Sequence, residues 1–543
     1  MTTSWLTILG IGEDGVEGLS PLAARLLREA PHVFGAARQL ALAAPLIQGA
    51  TTAWPSPMSE GFSALLARRG QPTLVLASGD PFCFGLGGTL ARHLAPGEFL
   101  TVPAPSSFAL AAGRLGWALQ DCSTISFCGR PLEPLRALLQ PGARILALSA
   151  DAATPAAVAA LVTGLGFGPS RMVVLDAMGG PREKRWDGVA ERFDAVPDAL
   201  NLVALEVVAG AGAAVLPLAA GLPEEFFDYD GQITKREVRA VTLAALAPRQ
   251  GELLWDIGCG SGSVAIEWLL RHPSMRAIGL EPKADRAARA ARNALALGVP
   301  GLRLVEASAP GGLEGLEPPD AVFVGGGGGR EGVLEAAWAA LRPGGRLVVN
   351  AVTIETEAVL LAAHARWGGS LVRLGVERLD RVGAMHGYRP AMTVVQYGVE
   401  KPAGSGGIRS PRRGGPGGAA PLLATAGLGL RPSADAASLV AVVRRAEGLS
   451  GCRVVSLSVP DFRDLPVVAE AAERLGVPMQ LVSRARLMAV QDRCPTKSEA
   501  AQRAIGIASV AEGCALAEGG ALLLKRIDGE GVSCALAAVE EPA

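Results

Sequence analysis

Short apolar runs recur along the chain, each followed by a stretch whose apolar residues return at helical spacing. Up to about residue 210 the runs are "WLTILGIG", "TLVLASG", "FLTVPA", "STISFCG", "RILALSA", "RMVVLDAMG" and "NLVALEVV". A second series comprises "ELLWDIG", "RAIGLEP", "LRLVEAS", "AVFVGGG", "RLVVNAV", "LVRLGVERL" and "MTVVQYGVE". A shorter third series after residue 421 holds "PLLATAGLGL", "RVVSLSV", "PMQLVSR" and "ALLLKR". Strands alternating with helices predict mainly parallel sheets covered on both faces. Two composition breaks separate the series. Val215–Gly231 is a soft one; Lys401–Pro421, "KPAGSGGIRSPRRGGPGGAAP", is rich in Gly, Pro, Ser and Arg and cannot build a core. The expected organisation is α/β throughout: a domain over 1–212, a second over 222–400 on a mostly parallel seven-stranded sheet, a flexible linker over 401–420 and a small α/β domain over 421–543.

Composition narrows the class. The 543 residues exceed one core, and 49% hydrophobic with 19% charged residues describe a folded chain. A formal charge of −1 supplies no basic field for nucleic acid, and 4% aromatics supply few stacking platforms. An RNA methyltransferase is disfavoured on this ground. The eight cysteines include no C-x-x-C pair and there are five histidines, so neither a zinc site nor a disulfide framework is expected. "MTTSWLTILGIGEDG" has no signal-peptide pattern, and no run reaches the ~18 apolar residues of a membrane span. The expectation is a soluble, cytoplasmic protein with no membrane partner.

The strongest chemical signal is "LLWDIGCGSGSVAIEW", Leu253 to Trp268. A strand-to-helix turn often carries a glycine for conformational reasons alone. Here Asp256 is followed by Gly258, Gly260 and Gly262, and the next strand ends in Glu281, 23 residues past Gly258. Glycines let a ligand approach the backbone, and an acid about 20 residues on commonly holds ribose hydroxyls. The spacing D-x-G-x-G-x-G differs from the dinucleotide G-x-G-x-x-G. It resembles the S-adenosyl-L-methionine (SAM) loop of Rossmann-like methyltransferases, where acids suit a cationic ligand. From Phe226 to Val399, "GQITKREVR", "DIGCGSG", "EASAP" and "AVFVGGGG" resemble the decarboxylating precorrin methyltransferases of cobalamin biosynthesis. That resemblance implies that Gly231 and Thr234 close over SAM, that Gly258, Gly260 and Gly262 underlie its methionine part, and that Glu281 holds the ribose. Ala309 would lie beside the adenine, next to Ser308 where many relatives have an acid. Gly325, Gly326 and Gly327 would leave room for a flat substrate.

The first block carries "GIGEDGVEGLS", "LASGDPFCFG" and "VPAPSSFALAAGRLGW" in order. These resemble the tetrapyrrole methylase family, a two-lobed fold with a different SAM site. The resemblance places Gly10, Gly79, Asp80, Ser106 and Ser107 at that site, with Ala104 departing from the usual approach to the turn. Two unlike SAM folds in this order resemble the fused, decarboxylating precorrin methyltransferases. They imply two SAM sites per chain, methylation of a precorrin-6 intermediate at C-5 and C-15, loss of the C-12 acetate carboxyl as carbon dioxide, and precorrin-8 as product. The alternative is a catalytic centre flanked by domains that only bind or channel corrinoids.

Such chemistry asks for few side chains, because the sulfonium methyl is electrophilic and the reduced macrocycle supplies the carbon nucleophile. No metal is expected and no general base is assigned; Asp80, and His386 and Tyr388 in "MHGYRP", are the candidates, with Glu237 read as a surface or capping residue. A polycarboxylate substrate calls for cations, for which Lys235, Arg236 and Arg239 are proposed ahead of Arg182, Lys184 and Arg185. The third block resembles the small domain shared by CobE-type proteins and the C-terminal part of CbiG. Gly427, Gly429 and Ser433 are read there as a glycine turn before a helix, and Glu512 falls in the "AEGCAL" helix. Its expected role is ligand binding, handover of an intermediate to other cobalamin enzymes, or scaffolding. The resemblance also implies a homo-oligomer, tetrameric among relatives of the central domain.

Overall fold

A computed structural model describes residues 4–95, 97–402, 423–431, 433–450, 452–463, 466–517 and 519–539. From residue 403 on, the expected linker lies outside the described residues. The chain divides into two compact units, residues 1–342 with 346–400, and residues 343–345 with 401–543.

The first unit opens with β1 (Leu6–Ile11), β2 (His32–Gly35), β3 (Ala50–Ala53), β4 (Thr73–Ser78) and β5 (Phe99–Val102). They form one sheet in the order β3-β2-β4-β1-β5, every pair parallel. Its pleat sends Leu6, Ile8, Val75 and Ala77 to one core and Leu9, Ile11, Leu74 and Leu76 to another. Burial on both faces is what continuous apolar runs require. β6 (Cys122–Ser126), β7 (Arg144–Leu148), β8 (Arg171–Asp176), β9 (Lys184–Val189) and β10 (Asn201–Glu206) form a second sheet, ordered β6-β7-β10-β8-β9. Here only β6 and β7 run parallel; the other three pairings are antiparallel. In this one sheet the expected mainly parallel arrangement does not hold, because an apolar run reports burial and carries no strand direction.

A seven-stranded sheet follows. Its strands are β11 (Leu253–Ile257), β12 (Arg276–Leu280), β13 (Arg303–Val305), β14 (Ala321–Val324), β15 (Arg346–Ala351), β16 (Ser370–Leu374) and, after a separate hairpin, β19 (Val394–Glu400). The order is β13-β12-β11-β14-β15-β19-β16, parallel from β13 to β15 and antiparallel around β19. Trp255, Ile257, Val322 and Val324 pack into the core on one face, Leu254, Ala321 and Phe323 into that on the other. Chain order reverses at β11, with β12 on one side and β14 on the other, which places a crevice at their carboxyl ends. The hairpin pairs β17 (Glu377–Val382) with β18 (Met385–Pro390).

The second unit holds β20 (Leu423–Leu430), β21 (Arg453–Pro460), β22 (Met479–Val482), β23 (Leu522–Asp528) and β24 (Val532–Ala538), ordered β22-β21-β20-β24-β23. Gly427 and Gly429 lie inside β20 and form no turn, which corrects the reading of that stretch; Ser433 is in an exposed turn. The reason at Gly427 is packing. A Cβ there would stand 2.1 Å from the Ala515 nitrogen and 2.2 Å from the Ala511 carbonyl oxygen of the helix Val510–Leu516. Glu512 on that helix is fully buried and accepts hydrogen bonds from Thr496, Ser509 and the Arg526 backbone, a structural role. Gly427→Ala is expected to destabilise the second unit by about 1–3 kcal/mol, read as faster hydrogen exchange across β20.

Candidate active site

At the carboxyl end of β11 the chain passes through three left-handed glycines, with φ of 71°, 55° and 78° at Gly258, Gly260 and Gly262. Non-glycine residues adopt this region at a cost, so the spacing in the sequence is a backbone requirement. Gly258 also meets a second loop. A Cβ on it would lie 2.7 Å from the Gly326 carbonyl oxygen and 2.9 Å from its Cα and N. The cavity beside this contact, about 200 Å³, is lined by Gly258, Glu281, Ser308, Ala309, Gly326 and Gly327 among others. Gly260, Gly262 and Gly325 are absent from its wall. Gly260 shapes the loop from behind, its N–H donating to Glu281 Oε2 at 3.0 Å. Glu281 Oε1 accepts from the Lys283 N–H at 3.1 Å. Four lone-pair sites minus these two leave the carboxylate able to accept from a ligand.

Asp256 lies beneath the loop, 1% exposed. Its Oδ2 accepts from the Ala265 N–H at 3.0 Å, while Oδ1 has no partner. Burial, reinforced by the charge of Glu281 and opposed by the Ala265 hydrogen bond, raises its pKa from 3.8 to about 7. Asp256 is therefore part of the loop's foundation and does not line the cavity.

The segment before the helix Arg236–Leu246 is pinned beside this crevice. Asn293 accepts from Asp228 N–H at 2.9 Å and donates to the carbonyls of Asp228 and Ser261 at 2.8 and 2.9 Å. Arg286, on the cavity wall, donates to Asp230 at 2.7 Å and Gln232 at 2.8 Å. Gly231 and Thr234 thus belong to a strap flanking the cavity, and neither lines it. Arg239 corrects the expectation of a cleft cation. It is wholly buried, paired with the equally buried Glu267 at 2.5 Å, donates to the carbonyls of Thr234 and Leu222, and lies over Phe227. Lys235 stands 5.3 Å over the Tyr229 ring, and Arg236 is exposed on its helix. The cations that do line the cavity, Lys283, Arg286 and Arg330, escaped the sequence reading; their signal was proximity to Glu281 and to the glycine run. Lys283 and Arg330 have no carboxylate partner among the described residues. His386 and Tyr388 sit exposed on the β17–β18 hairpin and do not line the crevice, which argues against their acid–base candidacy. Glu237 pairs with Arg378 of that hairpin at 2.6 Å, a surface role.

A second cavity, about 360 Å³, opens between the first two sheets. Gly79, Asp80, Ser106 and Ser107 all line it; Gly10 does not. Gly10 is needed for closeness, since its Cβ would fall 2.0 Å from the Gly79 carbonyl oxygen. Gly79 is left-handed at φ 55°, and Asp80 Oδ1 accepts from Phe82 N–H at 2.8 Å. Ser106 caps the helix Ser107–Leu115, accepting from Ala109 N–H at 3.2 Å. On the same wall Glu13 pairs with Arg38, and reaches Arg182 at 3.6 Å. Burial first, then the charge of Arg182, lowers the Arg38 pKa. Arg185 is held by Asp187 on β9, and Lys184 opens that strand.

Residues 6–194 match the tetrapyrrole (corrin/porphyrin) methylases, residues 225–401 the precorrin methyltransferase domain and residues 424–537 the cobalamin synthesis G C-terminus. A precorrin-6Y C(5,15)-methyltransferase [decarboxylating] from Sinorhizobium is 55% identical over 402 residues, 74% of this chain and 97% of the relative. The chain belongs to the decarboxylating precorrin-6Y C(5,15)-methyltransferase family. A Mycobacterium tuberculosis precorrin-6Y C(5,15)-methyltransferase is 38% identical over 73% of this chain and 100% of the relative. The C-terminal domain of precorrin-6Y C5,15-methyltransferase from Rhodobacter capsulatus is 45% identical, covering 34% of this chain and all of that one, with a TM-score of 0.33.

Membership in the precorrin-6Y methyltransferase family implies SAM as methyl donor. The central crevice fits such a donor: a floor where a Cβ would collide, an acid with free acceptor capacity at a strand end, and apolar walls at Leu280, Ala307 and Ala309. Among the described residues no group of three or more His, Cys, Asp or Glu is placed to hold a metal. No described helix is long and apolar enough to cross a membrane.

Two outcomes are expected. The Asp256 pKa is raised on folding, so the folded state binds more protons between pH 4 and about 7 and stability falls as pH rises through that window. Asp256→Asn removes that slope, checked by urea unfolding at pH 5 and pH 8. Arg239→Met strands the buried Glu267 charge and costs about 3–5 kcal/mol in the same assay. The double variant with Glu267→Met recovers part of that loss, because the stranded charge is gone while Gly221 and Leu222 still lack their acceptor.

Proposed function

We propose that this chain methylates a precorrin-6 intermediate at C-5 and C-15 and removes the C-12 acetate carboxyl as carbon dioxide, giving precorrin-8. The observation that carries the reading is alignment over nearly the whole of a relative named for both methylations and the decarboxylation. The two separate cavities, one in each of the first two blocks, support a SAM site in each.

In the central crevice Gly258 and Gly326 would let the donor lie against bare backbone, and Glu281 would accept from the ribose hydroxyls. Ser308 and Ala309 would flank the adenine. Lys283 and Arg330 would meet substrate carboxylates, a role for which they replace Arg239. Gly326 and Gly327, the glycines of the run Gly325–Gly327 that line the cavity, would admit the edge of a flat macrocycle. In the first cavity Gly79, Asp80, Ser106 and Ser107 would surround the donor, with Arg38 beside them facing the substrate. SAM supplies a methyl group already activated by its sulfonium. The protein's part is alignment of that methyl with a ring carbon about 3 Å away and exclusion of water. The electrons left by the departing carboxyl enter the conjugated macrocycle, so no side chain need hold them. The protein would act in the cytoplasm as a homo-oligomer, passing its product to the next corrinoid enzyme.

Incubation with a reduced precorrin-6 and methyl-labelled SAM is expected to give two methyl transfers and one carbon dioxide per substrate. Glu281→Gln is expected to leave one methyl transfer and abolish carbon dioxide release. Wild-type enzyme that adds a single methyl would instead assign the first block a binding role.

A further inference from the structure

The second unit has a cavity of about 520 Å³, larger than the two described above. Its construction follows from the sheet. β20 and β21 are parallel neighbours, so their carboxyl ends deliver Arg431 and Arg463 to one edge. β23 and β24 are antiparallel, so their connecting turn brings Asp528 and Gly529 to that same edge, with Arg526 on β23 just before them. Arg526 spends its fork on Asp528, at 2.8 and 3.1 Å. The Arg431 backbone is fixed by its N–H donating to the Gly531 carbonyl at 2.9 Å. The side chains of Arg431 and Arg463 have no carboxylate partner among the described residues. Asp528, the acid on this wall, is already taken. Phe462 stands 39% exposed at the same wall, with Ile505, Val510 and Val532 as further apolar surface.

Two uncommitted guanidiniums beside one committed pair make a net positive cavity. Guanidinium forks match carboxylates in bidentate geometry, and an exposed aromatic ring offers a face to a planar apolar body. We infer that this cavity is a further binding site of the chain, taking the carboxylate arms of a planar polycarboxylate through Arg431 and Arg463 with its ring against Phe462. The class rests on the function proposed above, whose substrate and product are tetrapyrroles bearing acetate and propionate arms. The site then retains a corrinoid outside both reaction cavities.

The test is hydrogen–deuterium exchange on the full chain with uroporphyrin, an octacarboxylate porphyrin, as probe. Protection is expected in peptides covering residues 429–431, 461–463 and 526–533. In the Arg431→Ala/Arg463→Ala variant the probe concentration needed for that protection should rise at least about tenfold, with the probe-free exchange of residues 423–428 and 534–538 unchanged as the sign of a folded unit. Protection of the central crevice without these peptides would overturn this inference and leave the proposed function standing. Protection of these peptides alone would count against the central substrate pocket and support the site. Citrate reproducing the protection at equal concentration would overturn the assignment to a planar ligand.

Discussion

The central crevice depends on one close approach: the backbone of Gly258, leaving β11, lies against the backbone of Gly326, leaving β14, with no room for a Cβ between them. The two strands are parallel neighbours in register through Ile257 and Val324, so the sheet itself drives their ends together. Left-handed φ at Gly258, Gly260 and Gly262 then turns the chain into the helix Ser263–Leu269 while leaving the Gly260 N–H to fix Glu281. One backbone contact thereby sets the cavity floor, the position of its acid and the start of the helix.

Charge is buried around this contact at some cost to stability. Asp256 has an unpaired Oδ1 and a pKa raised to about 7, and the Arg239–Glu267 pair is withdrawn from water altogether. A buried pair of this kind is seldom a net stabiliser, but removing one partner is severe. Its structural content is positional: Glu267 gathers the N–H groups of Gly221 and Leu222, and Arg239 gathers the carbonyls of Leu222 and Thr234. The strap beside the crevice is thus tied to the helix that the glycine loop begins.

Features fixed by local backbone chemistry were legible in the sequence. Gly258 of the glycine loop, Glu281 at the next strand end, and the S-G-D-P turn at Gly79 and Asp80 stand at cavities, because left-handed turns and strand ends are written in adjacent residues. Features fixed by distant partners were not. Arg239 reads as one cation among several until Glu267, 28 residues away, is folded against it. Gly427 and Gly429 read as a turn because the helix that packs on Gly427 arrives more than 80 residues later. The antiparallel second sheet and the β17–β18 hairpin were missed for another reason: apolar pattern reports burial, not direction, and the hairpin's apolar residues, Leu379, Val382, Met385 and Tyr388, are exposed and interleaved with charged ones.

The central claim is that the chain offers two donor cavities of unlike construction. Calorimetric titration of the full chain with S-adenosylhomocysteine, the demethylated donor, tests it most directly. The account predicts two sites per chain, one of them lost in Gly258→Val; a single site, or two that both survive that substitution, would contradict it.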